Sequence, residues 1–208
     1  MSHVDRARQI LAEDKIMAIL RQFPQEMLVP VVDALIEGGV RSIEITMDYS
    51  RAPQDVKDLS TRYGERASIG VGTTWSIEQA EAAADAGATF CVIPGFDKPT
   101  CEYSVKRGML TLPGVQSPCE IQQAKRAGGH IMKLYPADPP GPKWLASVAP
   151  AYSGTEFMAT GGVTRANLKA FLDAGAMAVG MTDTLYGDYT NLDKIGEEIA
   201  ETVRVAKS

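Results

Sequence analysis

The sequence predicts a parallel (β/α)8 barrel, the TIM barrel fold, with one helix at its amino terminus and with residues 1–208 as a single domain. Eight short apolar segments alternate with helix-like segments, a glycine-containing joint recurs, and no low-complexity stretch divides the chain. An open doubly wound sheet usually has fewer strands and a glycine-rich turn after the first one, where this chain reads Leu-Arg-Gln-Phe-Pro at 20–24. These three observations favour the barrel.

The elements follow in order along the chain. Residues 1–15 mix charged and apolar side chains, which predicts an amphipathic leading helix and not an apolar export signal. The predicted strands span 16–20, 42–46, 67–72, 90–93, 109–112, 131–134, 156–159 and 178–181. A glycine joint precedes strands two, four, six and eight, at 37–40, 86–89, 127–130 and 174–177. Glycine past a helix end takes the left-handed conformation and turns the chain into the next strand.

Composition limits the classes of function. With 45% hydrophobic and 23% charged residues, the chain is typical of a soluble globular protein, and no segment approaches the roughly 20 apolar residues of a membrane span. We therefore expect a cytoplasmic protein that binds no membrane. A net charge of −5 without a basic run argues against nucleic acid. Three cysteines without metal-type spacing indicate idle thiols. A small molecule is the expected partner.

The run 131–136 contains a lysine, Lys133, inside what otherwise reads as a buried strand. Burial disfavours the ammonium form, so such an amine can be neutral near pH 7 and can attack a carbonyl to form a Schiff base. The alternative is a lysine whose ammonium group reaches solvent from the strand end.

Active sites of such barrels lie at the carboxyl ends of the strands, so the residues there are considered together as one ring. In strand order the ring contains Arg21, Glu44, Thr73, Pro94, Pro113, Lys133, Gly161 with Gly162, and Gly180 to Asp183. The two histidines are excluded, because His3 lies in the terminal tail and His130 at the opposite end of strand six. Proton transfer therefore falls to Glu44, whose alternative role is an ion-pair partner.

The motifs of this ring resemble the class I 2-keto-3-deoxy-6-phosphogluconate (KDPG) and 2-keto-3-deoxy-6-phosphogalactonate aldolases, which include enzymes for 4-hydroxy-2-oxoglutarate (KHG). The resemblance covers nearly the whole chain and runs through segments 18–21, 43–45, 70–73, 93–95, 112–114, 133–137 and 160–163. It implies a pyruvate-forming carbon–carbon lyase in which Lys133 forms the Schiff base and Glu44 moves protons. It implies no cofactor and no metal, because the iminium ion is the electron sink. A homotrimer is expected by analogy.

The resemblance also implies the remaining site residues. Arg21 and Thr73 would bind the substrate carboxylate, while Pro94, Pro113 and Tyr135 would line the pocket. A distal phosphate would meet Gly161, Gly162, Gly180 and Thr182, with a helix starting near residue 164 aimed at it. Asp48 replaces an arginine of the phosphogluconate branch, and the turn 180–183 reads Gly-Met-Thr-Asp where the family commonly has glycine and serine.

Three questions stay open at this point: whether the substrate is phosphorylated, which class of function the barrel has, and which epimer it takes. The expected substrate is a 2-keto-3-deoxy-6-phospho sugar acid, cleaved to pyruvate and glyceraldehyde 3-phosphate. A nonphosphorylated 4-hydroxy-2-keto acid, such as 4-hydroxy-2-oxoglutarate, is the alternative that Asp48 and the 181–183 turn suggest. A phosphosugar isomerase or decarboxylase on the same scaffold, or a noncatalytic sensor, are the other classes. The sequence does not distinguish the C4 epimers of the substrate.

Overall fold

The computed structural model describes residues 1–189 and 191–208 and contains the predicted closed barrel of parallel strands. Each strand pairs with its sequence neighbours, and β8 closes the barrel on β1 through the pairs Ile16 with Val179 and Ala18 with Met181. The strands are β1 Ile16–Leu20, β2 Ser42–Thr46, β3 Ser68–Gly72, β4 Phe90–Ile93, β5 Leu110–Val115, β6 Ile131–Leu134, β7 Glu156–Thr160 and β8 Ala178–Met181.

Helices surround the barrel, and α1 precedes it as the amphipathic pattern predicts. The helices are α1 His3–Asp14, α2 Gln25–Glu37, α3 Ala52–Tyr63, α4 Ile77–Asp85, α5 Lys98–Lys106, α6 Pro118–Arg126, α7 Gly141–Val148, α8 Leu168–Asp173, α9 Asp183–Tyr186 and α10 Leu192–Lys207, with a 3-10 turn at Ala149–Tyr152. In the part of the chain that the structure describes, no helix is long and apolar enough to cross a membrane.

The glycine joints take the predicted conformation. All four contain a glycine at positive φ, for example Gly87 at 89° and Gly175 at 103°. A residue with a side chain is strained at positive φ. Glycine therefore ends each helix and lets the chain turn into the next strand. The predicted strand bounds agree to within one residue except at the end of β5, which runs on to Val115. Proline is uncommon inside a strand, so the sequence predicted that β5 ends at 112, before Pro113, which is three residues too early.

The lower half of the barrel is filled by apolar side chains. Its cluster of buried interior residues comprises Met17, Phe90, Val92, Leu110, Leu112, Ile131, Met158 and Ala178. Ala7 and Leu11 of α1 pack into the same cluster and close the amino-terminal end of the barrel. Asp14 at the end of α1 accepts hydrogen bonds from the backbone and guanidinium of Arg41, which fixes the helix beside β2. The open end of the barrel is therefore the carboxyl end of its strands.

Candidate active site

A cavity of about 400 Å³ opens at the carboxyl ends of the strands. It is lined by Ile19, Arg21, Glu44, Thr73, Trp75, Pro94, Lys133, Tyr135, Thr160, Gly161, Gly162, Val163, Gly180 and Thr182. All residues that the sequence assigned to the site lie here except Pro113. The ring of strand ends thus forms one concave surface with Lys133 and Glu44 inside it.

Lys133 lies on β6 between Gly114 of β5 and Met158 of β7. Only 5% of the residue is exposed, so it does not reach solvent from the strand end. Burial lowers its pKa, Glu44 opposes that shift, and the positive charge of Arg21 adds to it. The amine Nζ lies 4.5 Å from the centre of the Tyr135 ring. A buried amine with a lowered pKa is the form of lysine that acts as a nucleophile.

Glu44 lies on β2 and is 1% exposed. Burial raises the pKa of its carboxyl group, while the positive charges of Lys133 and Arg21 oppose that shift. The side chain crosses the face of β3 at Gly72, where a Cβ would collide with Oε1. Its other oxygen, Oε2, makes no hydrogen bond with the described residues. The site therefore contains a carboxyl group suited to taking up and returning a proton.

Arg21 is held in place by two side chains. Its Nη1 lies 2.6 Å from Asp48 Oδ2, and its Nη2 donates to Thr73 Oγ1 at 3.0 Å. Thr73 itself has a φ of 55°, a conformation that β-branched residues rarely adopt and that occurs preferentially at functional sites. Asp48 stands where the phosphogluconate branch has an arginine. In the structure it lies beside the guanidinium, directs it and offsets part of its charge.

Gly161 and Gly162 follow β7 at positive φ, 90° and 80°. A Cβ on Gly161 would lie 3.1 Å from the Tyr135 ring, so the glycine lets this loop approach the aromatic side chain closely. The expected helix start near Thr164 is wrong, because α8 begins at Leu168 and is six residues long. The Asn167 side chain instead forms a turn, accepting from the Thr164 amide and donating to the Gly162 carbonyl.

Pro113 is the one assigned site residue that the structure does not place in the cavity lining. It lies inside β5, where it pairs with Ile93 of β4, and does not end the strand. Side chains alternate along a strand, and Leu112 at the preceding position points into the barrel, so Pro113 points out of it. There its Cδ would lie 3.0 Å from a Cβ on Gly129, beneath α6. Pro94, which directly follows β4, does line the cavity.

Four lining residues escaped the sequence assignment of roles: Ile19, Thr160, Val163 and Trp75. Thr160 ends β7 and is buried, and its hydroxyl makes no hydrogen bond with the described residues. A polar residue ending an apolar strand was the available signal for it. His130, as expected, lies away from the cavity. It directly precedes β6, and its Nδ1 accepts a hydrogen bond from the amide of Thr111 in β5.

These groups together define a class of protein. A buried amine of lowered pKa, a carboxyl group of raised pKa and a positioned guanidinium inside one barrel mouth are what an enzyme needs to bind a keto acid covalently and move its protons. The fold and the site are those of a class I, Schiff-base-forming aldolase.

Comparisons with known proteins place the chain more closely. It belongs to the KDPG and KHG aldolase family, whose model matches residues 7–197. The 2-dehydro-3-deoxy-6-phosphogalactonate aldolase of Escherichia coli is 29% identical over 190 residues, covering 91% of this chain and 93% of the relative. The 2-dehydro-3-deoxy-phosphogluconate aldolase of Pseudomonas aeruginosa is 30% identical, covering 94% of this chain and 92% of the relative.

The likeness extends to solved structures. One described as a native KDPGal structure superposes with a TM-score of 0.87 at 28% identity, covering 92% of this chain and 94% of the other. The protein is thus a class I aldolase and a carbon–carbon lyase that acts on a small molecule.

Proposed function

We propose that the enzyme cleaves a 4-hydroxy-2-keto acid of the 2-keto-3-deoxy sugar acid type into pyruvate and a hydroxyaldehyde, with Lys133 as the Schiff-base lysine. The observation that carries the proposal is the burial of the Lys133 amine beside the Glu44 carboxyl group, each with its pKa shifted toward the uncharged form. If Lys133 served only as an ion-pair partner of Glu44, the ammonium form would be favoured and its pKa would be raised. Here the effect of burial on the pKa is larger than the effect of Glu44.

The reaction would begin at the keto group. The neutral Lys133 amine attacks C2, and loss of water gives a protonated imine. Glu44 takes the proton of the C4 hydroxyl group, the C3–C4 bond breaks, and its electron pair moves into the imine to give an enamine and a free aldehyde. Protonated Glu44 returns the proton to C3. Water then hydrolyses the imine, which releases pyruvate and restores the lysine.

Arg21 and Thr73 would bind the C1 carboxylate. The two side chains are joined by a hydrogen bond, and the Asp48 ion pair fixes the direction of the guanidinium. Arg21 retains further N–H donors for a ligand, because a guanidinium has five. Tyr135 would cover the imine, since its ring already lies over Nζ, and Pro94 would form part of the wall.

The distal end of the substrate separates two candidates. The names of the relatives point to the 6-phosphorylated sugar acids, which would yield glyceraldehyde 3-phosphate, and Gly161, Gly162, Gly180 and Thr182 would face the phosphate. A specific observation favours a nonphosphorylated keto acid: Asp183 lies beside Thr182, and Arg21 and Lys133 are the only basic residues in the described cavity lining.

A cytoplasmic location, a homotrimer and one domain over residues 1–208 complete the proposal. The location and the trimer rest on composition and on analogy with the family. Size-exclusion chromatography with light scattering tests the trimer directly.

Retro-aldol assays test the proposed activity. Pyruvate release, coupled to lactate dehydrogenase, is measured with 2-keto-3-deoxygluconate, 2-keto-3-deoxygalactonate, their 6-phosphates and 4-hydroxy-2-oxoglutarate. We expect turnover of at least one of these that the Lys133→Met variant lacks. Absence of turnover on all five, or turnover that survives Lys133→Met, would contradict the proposal. Lys143→Met, which changes an exposed lysine of α7, is the matched control.

A further inference from the structure

The hydroxyl group of Thr182 is already committed as a donor. Thr182 Oγ1 lies 2.7 Å from Asp183 Oδ1. A carboxylate oxygen only accepts, and a threonine hydroxyl has one hydrogen, so the threonine is the donor in this bond. With its hydrogen used in this bond, the Thr182 hydroxyl can act toward a ligand only as an acceptor, through its oxygen lone pairs. A phosphate or carboxylate oxygen, which also only accepts, gains no hydrogen bond there, whereas a substrate hydroxyl can donate to it.

A second carboxyl group lies on the other side of the same rim. Asp138 packs against Gly162, and a Cβ on that glycine would lie 3.1 Å from the Asp138 carboxyl carbon. The Asp138 amide also donates to the Gly161 carbonyl at 3.0 Å, which fixes the two loops together. The loops after β7 and β8, where a phosphate would bind, are therefore flanked by two exposed carboxylates, Asp138 and Asp183.

Neither basic residue of the described cavity lining is free to offset these charges. Among its described lining residues, Arg21 and Lys133 are the basic ones, and both face carboxylates, Asp48 and Glu44 respectively. In the proposed reaction Lys133 is bonded to C2 and Arg21 holds C1, so neither is available to the distal end. An adjoining cleft of about 540 Å³ shares Arg21 and Thr182 with the cavity. It adds Asp183 but no further basic residue among those described.

The cleft is suited to an uncharged chain. Gln22 and Tyr189 contribute polar groups to its lining, and the rings of Phe23 and Tyr189 pack with their centres 4.6 Å apart. Hydroxyl groups of a substrate can bond to such side chains while its C–H groups contact the rings.

We propose that the distal site selects an uncharged, hydroxylated aldehyde portion over one ending in phosphate or carboxylate. Asp183 is a positioning residue in this selection: it fixes Thr182 as an acceptor and repels an anion. The inference rests on the proposed aldolase function and narrows its substrate to nonphosphorylated 2-keto-3-deoxy sugar acids.

Paired substrates test the selection. For the wild-type enzyme we expect kcat/KM for the neutral sugar acid to exceed that for its 6-phosphate and for 4-hydroxy-2-oxoglutarate by about tenfold, because like charges a few ångströms apart repel each other. A wild-type enzyme that prefers either anionic substrate overturns the proposal.

Variants identify the residues responsible. Asp183→Ala removes the charge and frees the Thr182 proton, so kcat/KM for the 6-phosphate should rise about tenfold relative to the neutral substrate. Thr182→Val removes the acceptor at similar volume and should raise KM for the neutral substrate. Asp85→Ala, which removes the same charge at the far end of α4, is the control and should leave the ratio unchanged. An unchanged ratio in Asp183→Ala overturns the role given to Asp183.

Exchange of the pyruvate methyl protons with deuterated water keeps this test separate from the aldolase proposal. Exchange requires the lysine imine and the proton-transferring carboxyl group but no distal portion. Wild-type enzyme that fails to exchange pyruvate contradicts the proposed function. Wild-type enzyme that exchanges pyruvate but prefers the phosphorylated substrate contradicts only the distal selection.

Discussion

The two ends of the barrel interior are built from opposite kinds of side chain. The amino-terminal half contains Met17, Phe90, Leu112 and similar apolar residues packed under α1. The carboxyl half contains a buried amine, a buried carboxyl group and a threonine at positive φ. Burial is almost the same in both halves, with Phe90 and Glu44 each 1% exposed, yet its energetic meaning differs. Apolar burial stabilises the fold, whereas burial of Lys133 and Glu44 costs stability and shifts their pKa values.

The amino-terminal half of the barrel interior thus contributes mainly to stability, and the carboxyl half contributes the reactive groups. The apolar lower half holds the strands in register. The strands in turn hold ionisable groups in buried positions, which those groups would not occupy if they were free to be hydrated. Changes in the lower half should therefore alter stability with little effect on the chemistry per folded molecule, and changes in the upper half should do the reverse.

Phe90→Ala gives the largest expected effect. Phe90 fills the space left by Gly70 on the neighbouring strand, where a Cβ would collide with its ring. Its removal should lower the free energy of unfolding by about 3–5 kcal/mol, as measured by urea denaturation. Phe96→Ala, at a half-buried position of the next loop, is the matched control and should cost much less. If the two variants lost the same free energy of unfolding, the apolar cluster of the lower half would not be the main source of stability.

Gly72→Ala should act on the chemistry instead. The new methyl group displaces Glu44 from its position across β3, and turnover should fall about 100-fold, since small misplacements of a reacting group have effects of this size. Gly95→Ala is the control, because a Cβ there meets nothing within 4 Å. Turnover in Gly72→Ala that matches the Gly95→Ala variant would show that Glu44 does not act from this position.

The buried pair itself should be a liability for stability. Replacing both groups, as Lys133→Met with Glu44→Gln, should leave the free energy of unfolding unchanged or raise it, by up to about 1–4 kcal/mol. Lys133→Met alone leaves the carboxyl group buried, with a pKa raised still further above its unfolded value. A group with a raised acidic pKa binds protons more tightly in the folded state, so stability of this single variant should fall as pH rises from about 5 to 8. A double variant with the same pH dependence would contradict this account.

The pH dependence of imine formation gives the smallest and most specific effect. Glu44 raises the pKa of Lys133 and Arg21 lowers it. In Glu44→Gln the lysine should therefore lose its proton at lower pH, and the acid limb of pyruvate imine formation, followed by borohydride trapping, should move to lower pH. In Arg21→Met at saturating pyruvate it should move to higher pH. Shifts of the same sign in both variants would contradict the assigned electrostatics.

Much of this architecture was predictable because its signals are local. Apolar runs and joint glycines such as Gly87 specify strands and helix ends within a few residues. The predicted end of β5 was wrong because Pro113, a residue type that is rare inside strands, was interpreted as marking the end of the strand. The helix expected near Thr164 failed because the Asn167 side chain stabilises a turn there, a choice that depends on a contact with the Gly162 carbonyl.

The sequence predicted which residues form the site better than it predicted the ion pairs and hydrogen bonds among them. Strand ends must converge at the mouth of a barrel, which brings Lys133 and Glu44 into one cavity. The Arg21 and Asp48 ion pair joins residues 27 positions apart on different loops, and no local pattern announces it. The direction of the Thr182 hydroxyl also required coordinates, although Asp183 is its neighbour in sequence.

Covalent trapping tests the central claim, that Lys133 is the Schiff-base lysine, most directly. The enzyme is incubated with pyruvate and borohydride, digested and analysed by mass spectrometry, beside the Lys133→Met variant. We predict one reduced pyruvate adduct, located on Lys133, together with loss of retro-aldol turnover in proportion to labelling. An adduct on another lysine, or full turnover after labelling of Lys133, would contradict the account.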